Sequence, residues 1–381
     1  MKYAILVFFL FCIIACSRNP KTGDNDIKLE KIKINLTDSS TKYVEDIMDS
    51  IKVVTLTAGK DFSFGDQSNY FFSDSVMIIT ARMQGSVFIF DRSGKLLNTI
   101  KTSHAKNSFK QGDFNTITDV FYDDHEKLIE ILDRTSSKIF RFNTNGGIKD
   151  TLFLADTRAL GYQFARSKNE YVSILLNHNV DRRGIGLYKK DGQVLRYNAQ
   201  KLTKIPYLKY INILYPHQLD VFKDSVYYFP MLEDKIYNVT AEKGSPAYLL
   251  DYPERNKLPR ELRDAEPTKD YYAYDRKMVS SKIIYNNSSL FINNDWVSFR
   301  FNFQTRNSPR NVFYNKKTKK VLQFSNLATK TGMAIFPHAN IIGKYKNYFI
   351  MISDAPKKVA LNGKTVNRGN FKLLFFKLKD I

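Results

Sequence analysis

The sequence predicts an all-β fold, a six-bladed β-propeller of four-stranded antiparallel blades, and three observations carry that expectation. A hairpin grammar recurs along the chain, with turns at Gly94, Gly146, Gly192, Gly244, Thr318 and Gly363, spaced 52, 46, 52, 74 and 45 residues apart. Periods of about 40–50 residues, each holding four short strands, are those of propeller blades. The segments between turns are nearly continuous apolar runs, as strands covered on both faces must be. Aromatic residues make up 14% of the chain, and they suit a pleated, half-buried surface better than a helix.

Before the repeat comes an address. Ala4–Ala15 (AILVFFLFCIIA) is an apolar run of 12 residues behind Lys2; a bilayer span needs about 20, so residues 1–15 read as a signal peptide. Ile13-Ile14-Ala15-Cys16 resembles the lipobox of bacterial lipoproteins, in which the cysteine is lipidated and becomes the first residue of the mature chain. Cys12 does not fit, because Phe11 stands where a small residue is required. Residues 16–26 are polar, with Pro20 and Gly23, and read as a flexible tether. Arg18 and Lys21 stand where surface-exposed lipoproteins carry an acidic cluster. The expected location is therefore the outer membrane, facing the periplasm, with surface exposure left open.

Residues 27–381 form a single propeller domain in this reading. Ile27–Leu36 alternates and is the expected closing strand, beside Phe371–Leu378. An open ring would leave two sheet edges free to aggregate. The first unit is the clearest: Tyr70–Phe72, Val76–Thr80, Val87–Phe90 and Leu96–Ile100, with an Asp91-Arg92-Ser93-Gly94 turn. Asp, Asn and Gly tolerate the positive φ that such turns need. The second holds Ile117–Phe121, Lys127–Leu132, Lys138–Phe142 and Ile148–Leu154. The third runs from Ala159 through Tyr171–Leu176 and Ile185–Tyr188 to Asp191-Gly192. The fourth holds His217–Phe222, Val226–Phe229, Lys235–Val239 and Ala247–Leu250. Lys257–Met278, charged and carrying Pro259 and Pro267, interrupts as a short helix and loop between the fourth and fifth units. The fifth is assigned Lys282–Tyr285, Ser289–Asn293, Val297–Phe303 and Val312–Tyr314. The sixth is assigned Ile341–Gly343, Tyr348–Ile352, Val359–Leu361 and Phe371–Leu378.

Phe64–Ile100 and Glu130–Gly147 resemble the six-bladed β-propeller lipoproteins of gut-type Gram-negative bacteria. So do Ser245–Tyr252 (SPAYLLDY) and the terminal Phe371–Asp380. A more distant resemblance is to NHL-type propellers, which are mostly binding platforms. The resemblance implies a lipid on Cys16 and assigns no other functional residue. Members often carry a Gly-Pro-Gly-Glu-like loop after the first blade, where this chain has HAKNSFKQGD at His104–Asp113.

Formal net charge is +21, and residues 301–381 hold 16 Lys and Arg against only Asp354 and Asp380. That asymmetry points to anionic surroundings or partners. The two cysteines, Cys12 and Cys16, leave the globular part without a disulfide, a thiol nucleophile or a cysteine-ligated metal. The five histidines, at 104, 125, 178, 217 and 338, show no metal-ligand spacing. Asp119, Asp123, Asp124 and Glu126 cluster at a turn without the EF-hand spacing. No metal or cofactor is expected. No nucleophile elbow, phosphate loop or zinc-protease helix occurs.

Candidate ligand-binding residues are Tyr271, Tyr272, Tyr274 and Arg276 in the insertion, placed to stack on sugars, and His104. The expected function is a lipid-anchored envelope module that binds an anionic glycan, lipopolysaccharide or an envelope protein; the address excludes nucleic acid. The alternative is a propeller hydrolase or lyase acting on a periplasmic polysaccharide or peptide, since propellers assemble sites from distant blades.

Overall fold

The computed structural model describes residues 29–57, 69–103, 114–155, 163–168, 170–174, 185–197, 217–240, 244–259, 271–304, 309–331, 335–336, 340–352, 357–361, 364–368 and 371–380. The chain divides into two compact units, Met1–Glu30 and Lys31–Ile381. Only residues 29 and 30 of the first are described; the signal peptide, Cys16 and the tether lie outside the described residues. The second unit is an all-β, propeller-like arrangement.

Its strands begin with β1 (Glu30–Lys33), β2 (Thr41–Tyr43), the single turn α1 (Val44–Ile47) and β3 (Met48–Leu56). Antiparallel meanders come next. The first is β4 (Asn69–Phe72), β5 (Val76–Ala81), β6 (Ser86–Asp91) and β7 (Leu96–Lys101). Then come β8 (Asp119–Asp123), β9 (Leu128–Asp133), β10 (Lys138–Asn143) and β11 (Ile148–Leu154), succeeded by β12 (Phe164–Arg166), β13 (Glu170–Ile174), β14 (Ile185–Asp191) and β15 (Val194–Tyr197). These two meanders share one eight-stranded sheet, joined where β11 and β15 run parallel through Phe153–Val194 and Leu154–Leu195. The next comprises β16 (Leu219–Phe222), β17 (Ser225–Tyr228), β18 (Lys235–Asn238) and β19 (Ser245–Asp251), with β1 added at its edge.

Helix α2 (Tyr271–Ser280) then intervenes, as the charged insertion predicts. After it come β20 (Ile284–Ile292), β21 (Trp296–Phe303), β22 (Arg310–Asn315) and β23 (Val321–Phe324), and the connecting strands β24 (Asn326–Ala328) and β25 (Ile335–Phe336). The last elements are β26 (Ile341–Tyr345), β27 (Tyr348–Ile352), β28 (Lys357–Leu361), β29 (Lys364–Arg368) and β30 (Phe371–Leu378). The first strands of the meanders touch in closed cyclic order: β4 with β8, β8 with β12, β12 with β16, β16 with β20, β20 with β26, and β26 with β4.

The core is accordingly distributed. Ile78 and Ile89 of the first meander pack on Ile131 and Phe140 of the second. Leu132 and Leu152 pack on Tyr171 and Leu195, Val172 and Leu187 on Val226 and Tyr237, and Ile236 and Leu250 on Phe299 and Val312. Phe313 and Phe324 meet Phe349 and Phe376, and Phe371 and Leu373 return to Met77 and Phe90. Each of the six meanders is thus apolar on both faces, which explains the unbroken apolar runs. Full burial of side chains of this size is worth about 1.5–3 kcal/mol each.

Three sequence assignments are corrected. The strand that closes on β30 is β3, paired antiparallel from Met48–Leu378 to Leu56–Phe371. Ile27–Leu36 does not do this; from Lys31 onward it lies along β19, with Ile32 and Ile34 buried and Ile34 N–H donating to Asp251 O at 2.9 Å. Loop length gives the reason. Closure through residues 27–36 would leave roughly thirty residues before the first meander, whereas β3 leaves about a dozen, within the usual range. In the fifth meander, Lys282–Tyr285 and Ser289–Asn293 belong largely to a single strand, β20, with register shifts at Tyr285/Ser288 and Ser288/Phe291. Asn286 and Ser289 have φ of 58° and 52°, and these bulges put polar residues mid-strand, where they read as a turn. The fourth strand there is β23. Val359–Leu361 does not enter the last sheet; β28 and β29 form a separate hairpin, and the last sheet has the order β26-β27-β30-β3.

The Asp91–Gly94 turn locks first and last sheets together. Asp91 Oδ1 accepts from Ser93 N at 2.9 Å and Lys95 N at 3.0 Å. Gly94 O accepts from Thr57 N at 2.8 Å. The Arg92 guanidinium lies 4.1 Å from the ring centre of Tyr345 on β26. Gly94 has φ +94°, and a Cβ there would fall 2.1 Å from the Thr55 carbonyl oxygen. Gly94→Ala is therefore expected to destabilise the fold by roughly 1–3 kcal/mol, measured as a lowered midpoint in urea unfolding with an unchanged slope.

Candidate functional site in the central channel

The ring of first strands surrounds a cavity of about 790 Å³, lined by residues from β4, β8, β12, β16, β20 and β26 and from the turns after them. The lining residues at the strand starts, such as Asn69, Asp119 and Gln163, are buried, whereas Asp74, Asp124, Lys168, Asp224 and Asn294 in the turns are exposed. The cavity therefore opens at the turns.

Its charged lining is largely spent on holding the ring. Asp119, buried at the start of β8, accepts hydrogen bonds from the Asn69 amide of β4, from Arg82 Nη2 at 2.5 Å and from the Phe164 backbone N–H of β12 at 2.8 Å. Burial pushes its carboxyl pKa up, and Arg82 opposes that shift. Asp220 on β16 does the corresponding work on the other side. Its Oδ2 accepts from Ile292 N of β20 at 2.6 Å and from Lys344 Nζ of β26 at 2.6 Å. Lys344 Nζ also donates to Val221 O at 2.7 Å and Ile292 O at 2.5 Å, so all three of its protons are engaged. Burial raises the Asp220 pKa and lowers that of Lys344, each towards neutrality, and their mutual attraction opposes both shifts.

A third cluster lies where β8 turns into β9. Arg166 of β12 reaches Asp123 at 2.6 Å, Glu130 at 3.2 Å and Glu126. Burial disfavours its charge, but the Glu126 hydrogen bond and the surrounding carboxylates outweigh burial and raise its pKa. Glu130, fully buried on β9, accepts from Tyr171 Oη at 2.8 Å, and its Oε2 has no hydrogen-bond partner. Burial pushes Glu130 up to about 7, against the pull of Arg166. Before β16, the His217 imidazole lies 5.2 Å from the Phe291 ring centre. Burial, with a smaller contribution from Arg82, holds it down to about 4, so it is neutral at physiological pH.

Of the residues proposed from sequence, His104 lies outside the described residues, as do the side chains of Tyr271, Tyr272 and Tyr274 on α2. Arg276 is exposed on α2 and does not line the cavity. The four acidic residues that cluster at the turn in sequence are divided among cations: Asp119 with Arg82, Asp123 and Glu126 with Arg166, and Asp124 with Lys127 at 2.6 Å. Among the described residues no group of three or more His, Cys, Asp or Glu is placed to hold a metal. Sequence reasoning missed Asp220, Lys344 and Arg166, and weighed His217 only as one of five histidines without metal-ligand spacing. A signal was present in Asp119-Val120-Phe121 and Asp220-Val221-Phe222, the same tripeptide on two first strands.

The model of a domain of unknown function, DUF4934, matches residues 29–361. The chain belongs to the DUF4934 family. No curated protein matches it. Among solved structures it is similar to a Bacteroides fragilis protein described as exported, with TM-score 0.63 and 11% identity over 92% of this chain and 100% of that one. It is also similar to a DUF4221 member from Bacteroides vulgatus, with TM-score 0.51 and 8% identity over 87% and 97%. At these identities the likeness of this DUF4934 chain to either is one of fold.

The charged groups of this channel carry two expected outcomes. Lys344→Met strands Asp220 unpaired beneath three first strands, and should cost about 3–5 kcal/mol. Adding Asp220→Asn should recover part of that loss in a double-mutant cycle read by urea unfolding. Glu130 and His217 should tilt stability in opposite directions with pH. Glu130 titrates at about 7 against 4.5 when free, so the folded chain binds the extra proton and stability falls as pH rises through that window. His217 titrates at about 4 against 6.5, so the unfolded chain binds the extra proton and stability rises with pH there. Between pH 4.5 and 6.5, where the windows overlap, Glu130→Gln should make the unfolding free energy climb more steeply with pH. His217→Gln should make it climb less. Unchanged slopes would count against both assignments.

Proposed function

We propose that this chain is a lipid-anchored, six-bladed propeller of the bacterial envelope that binds an anionic or glycan ligand in its central channel. The blade count is supported by the closed ring of six first strands and by the two-residue join inside the eight-stranded sheet, which reads as two four-stranded blades touching at their rims. The cavity carries the binding reading. All six first strands wall it, and its volume lies in the range that holds a small ligand. Its buried ions are occupied as inter-strand ties, while exposed polar groups ring the opening. Pockets of this kind bind by shape and a few polar contacts.

The anchor is Cys16, behind a signal core, with the domain facing the periplasm from the outer membrane. The exported relative of the same fold is consistent with that address. Several acyl chains, each methylene worth about 0.8 kcal/mol, hold such an anchor firmly. Tyr271, Tyr272, Tyr274, Arg276 and His104 would serve as a secondary contact for glycan or for an envelope protein.

A second reading, a hydrolase or lyase on a periplasmic polysaccharide or peptide, draws on one observation: the neutral His217 imidazole lines the same cavity as Asp119 and Asp220. A glycan array paired with product analysis separates the two. Binding without release of reducing ends supports the module, and release that is lost in His217→Gln supports the enzyme. For the anchor, Cys16→Ser should abolish incorporation of labelled palmitate and move the protein from the membrane to the soluble envelope fraction.

A further inference from the structure

We infer that the channel opening recognises a carboxylated saccharide of the uronate class, with the acid group held at the rim between Lys168 and Lys223. The inference rests on the binding reading above and adds the chemistry of the ligand.

The charges around the opening sort into paired and unpaired. Asp74 is held by Lys346 at 2.7 Å and by the Tyr345 hydroxyl. Asp124 is held by Lys127, Asp123 and Glu126 by Arg166, and Asp220 by Lys344. Lys168, Lys223 and Asp224 are exposed lining residues and form no ion pair with any described residue. Lys223 only flanks the Phe222 ring, at 5.4 Å from its centre. The two lysines come after β12 and β16, which are neighbours in the ring. The free charge at the opening is therefore two cations and one carboxylate on adjoining turns, although the whole lining holds seven carboxylates against five Lys and Arg.

Asp224 accepting a hydroxyl proton and a lysine pair for a carboxylate describe an acidic sugar. A cavity of about 790 Å³ is far larger than a simple inorganic anion needs and accommodates a disaccharide.

The test is calorimetric titration of the full chain in detergent with digalacturonic acid and, in parallel, with galactobiose, its uncharged counterpart. The acidic disaccharide should bind about tenfold more tightly at low salt, an advantage worth about 1.4 kcal/mol, and the margin should shrink as salt is raised. Lys168→Gln with Lys223→Gln should bring the two affinities together without altering thermal unfolding, because both side chains are exposed. Equal binding of the two sugars, or preference for galactobiose, would overturn the acid recognition while leaving a glycan-binding channel. Failure of both to bind folded protein would overturn the channel reading as well.

Discussion

Two carboxylates, one buried and one nearly so, hold the inner ring, and the rest of the arrangement depends on them. Asp119 joins β4, β8 and β12; Asp220, through Ile292 and Lys344, joins β16, β20 and β26. Between them they touch all six first strands. The physical need is clear. Where strands converge on an axis, adjacent sheets fill the wedges between them with apolar side chains, but the axis itself is too wide for those side chains to meet. Charged groups that reach across the gap can do what packing cannot, provided each is fully hydrogen-bonded, since an unpaired buried ion costs several kcal/mol. Lys344 meets that condition with three acceptors and Asp119 with three donors.

Closure from outside uses different chemistry. The stretch from Lys31 to Leu56 runs along the outer strands and is fastened repeatedly. Gln323 Nε2 donates to Asn35 O at 2.6 Å and Asp38 O at 2.9 Å, and β2 pairs in parallel with β24. β3 then completes the sheet begun by β26. Val54 and Leu56 turn inward to join Phe371, Leu373 and Phe375, while Ile51 and Val53 stay half exposed on the opposite face. Edge pairing of this kind removes open N–H and C=O rows that would otherwise template aggregation. It also means the final sheet cannot form until residues over 300 apart in sequence have met, which loads the entropic cost of closure onto one late pairing.

Which parts are legible in sequence depends on this division. Sheets buried on both faces leave continuous apolar runs, and Asp91, Asp123 and Asn315 announce their turns through side-chain acceptors for the next backbone N–H groups. Both are local signals, so the first, second and fourth meanders read almost strand for strand. The closing strand is misassigned from sequence because Ile27–Leu36 alternates whereas Val53-Val54 breaks the alternation of β3, and nothing local tells which one β30 will accept. β20 splits in sequence because Asn286–Ser289 is polar; its purpose is visible only in space, where Asn287 Nδ2 donates to Pro230 O at 3.0 Å and Glu233 O at 2.8 Å. The channel is hidden for the same reason. Asp119, Asp220 and Lys344 are separated by 101 and 124 residues, and no periodicity links a carboxylate to the lysine that will neutralise it.

Net charge is a poor guide to the site for a related reason. A basic excess of 21 charges over the chain acts through solvent, where fields fade over roughly 8–10 Å at physiological salt. Inside the channel each charge is set by its immediate partner. Counting lining residues alone would give an acidic cavity and predict a cationic ligand. Counting only groups without a partner reverses the sign, because Asp74, Asp123, Asp124, Glu126, Asp119 and Asp220 are each neutralised by a cation already in contact. A ligand must compete with a formed ion pair to use a paired carboxylate, whereas Lys168 and Lys223 give up only water. The chemistry offered to a ligand is thus decided by what the fold leaves over after it has held itself together.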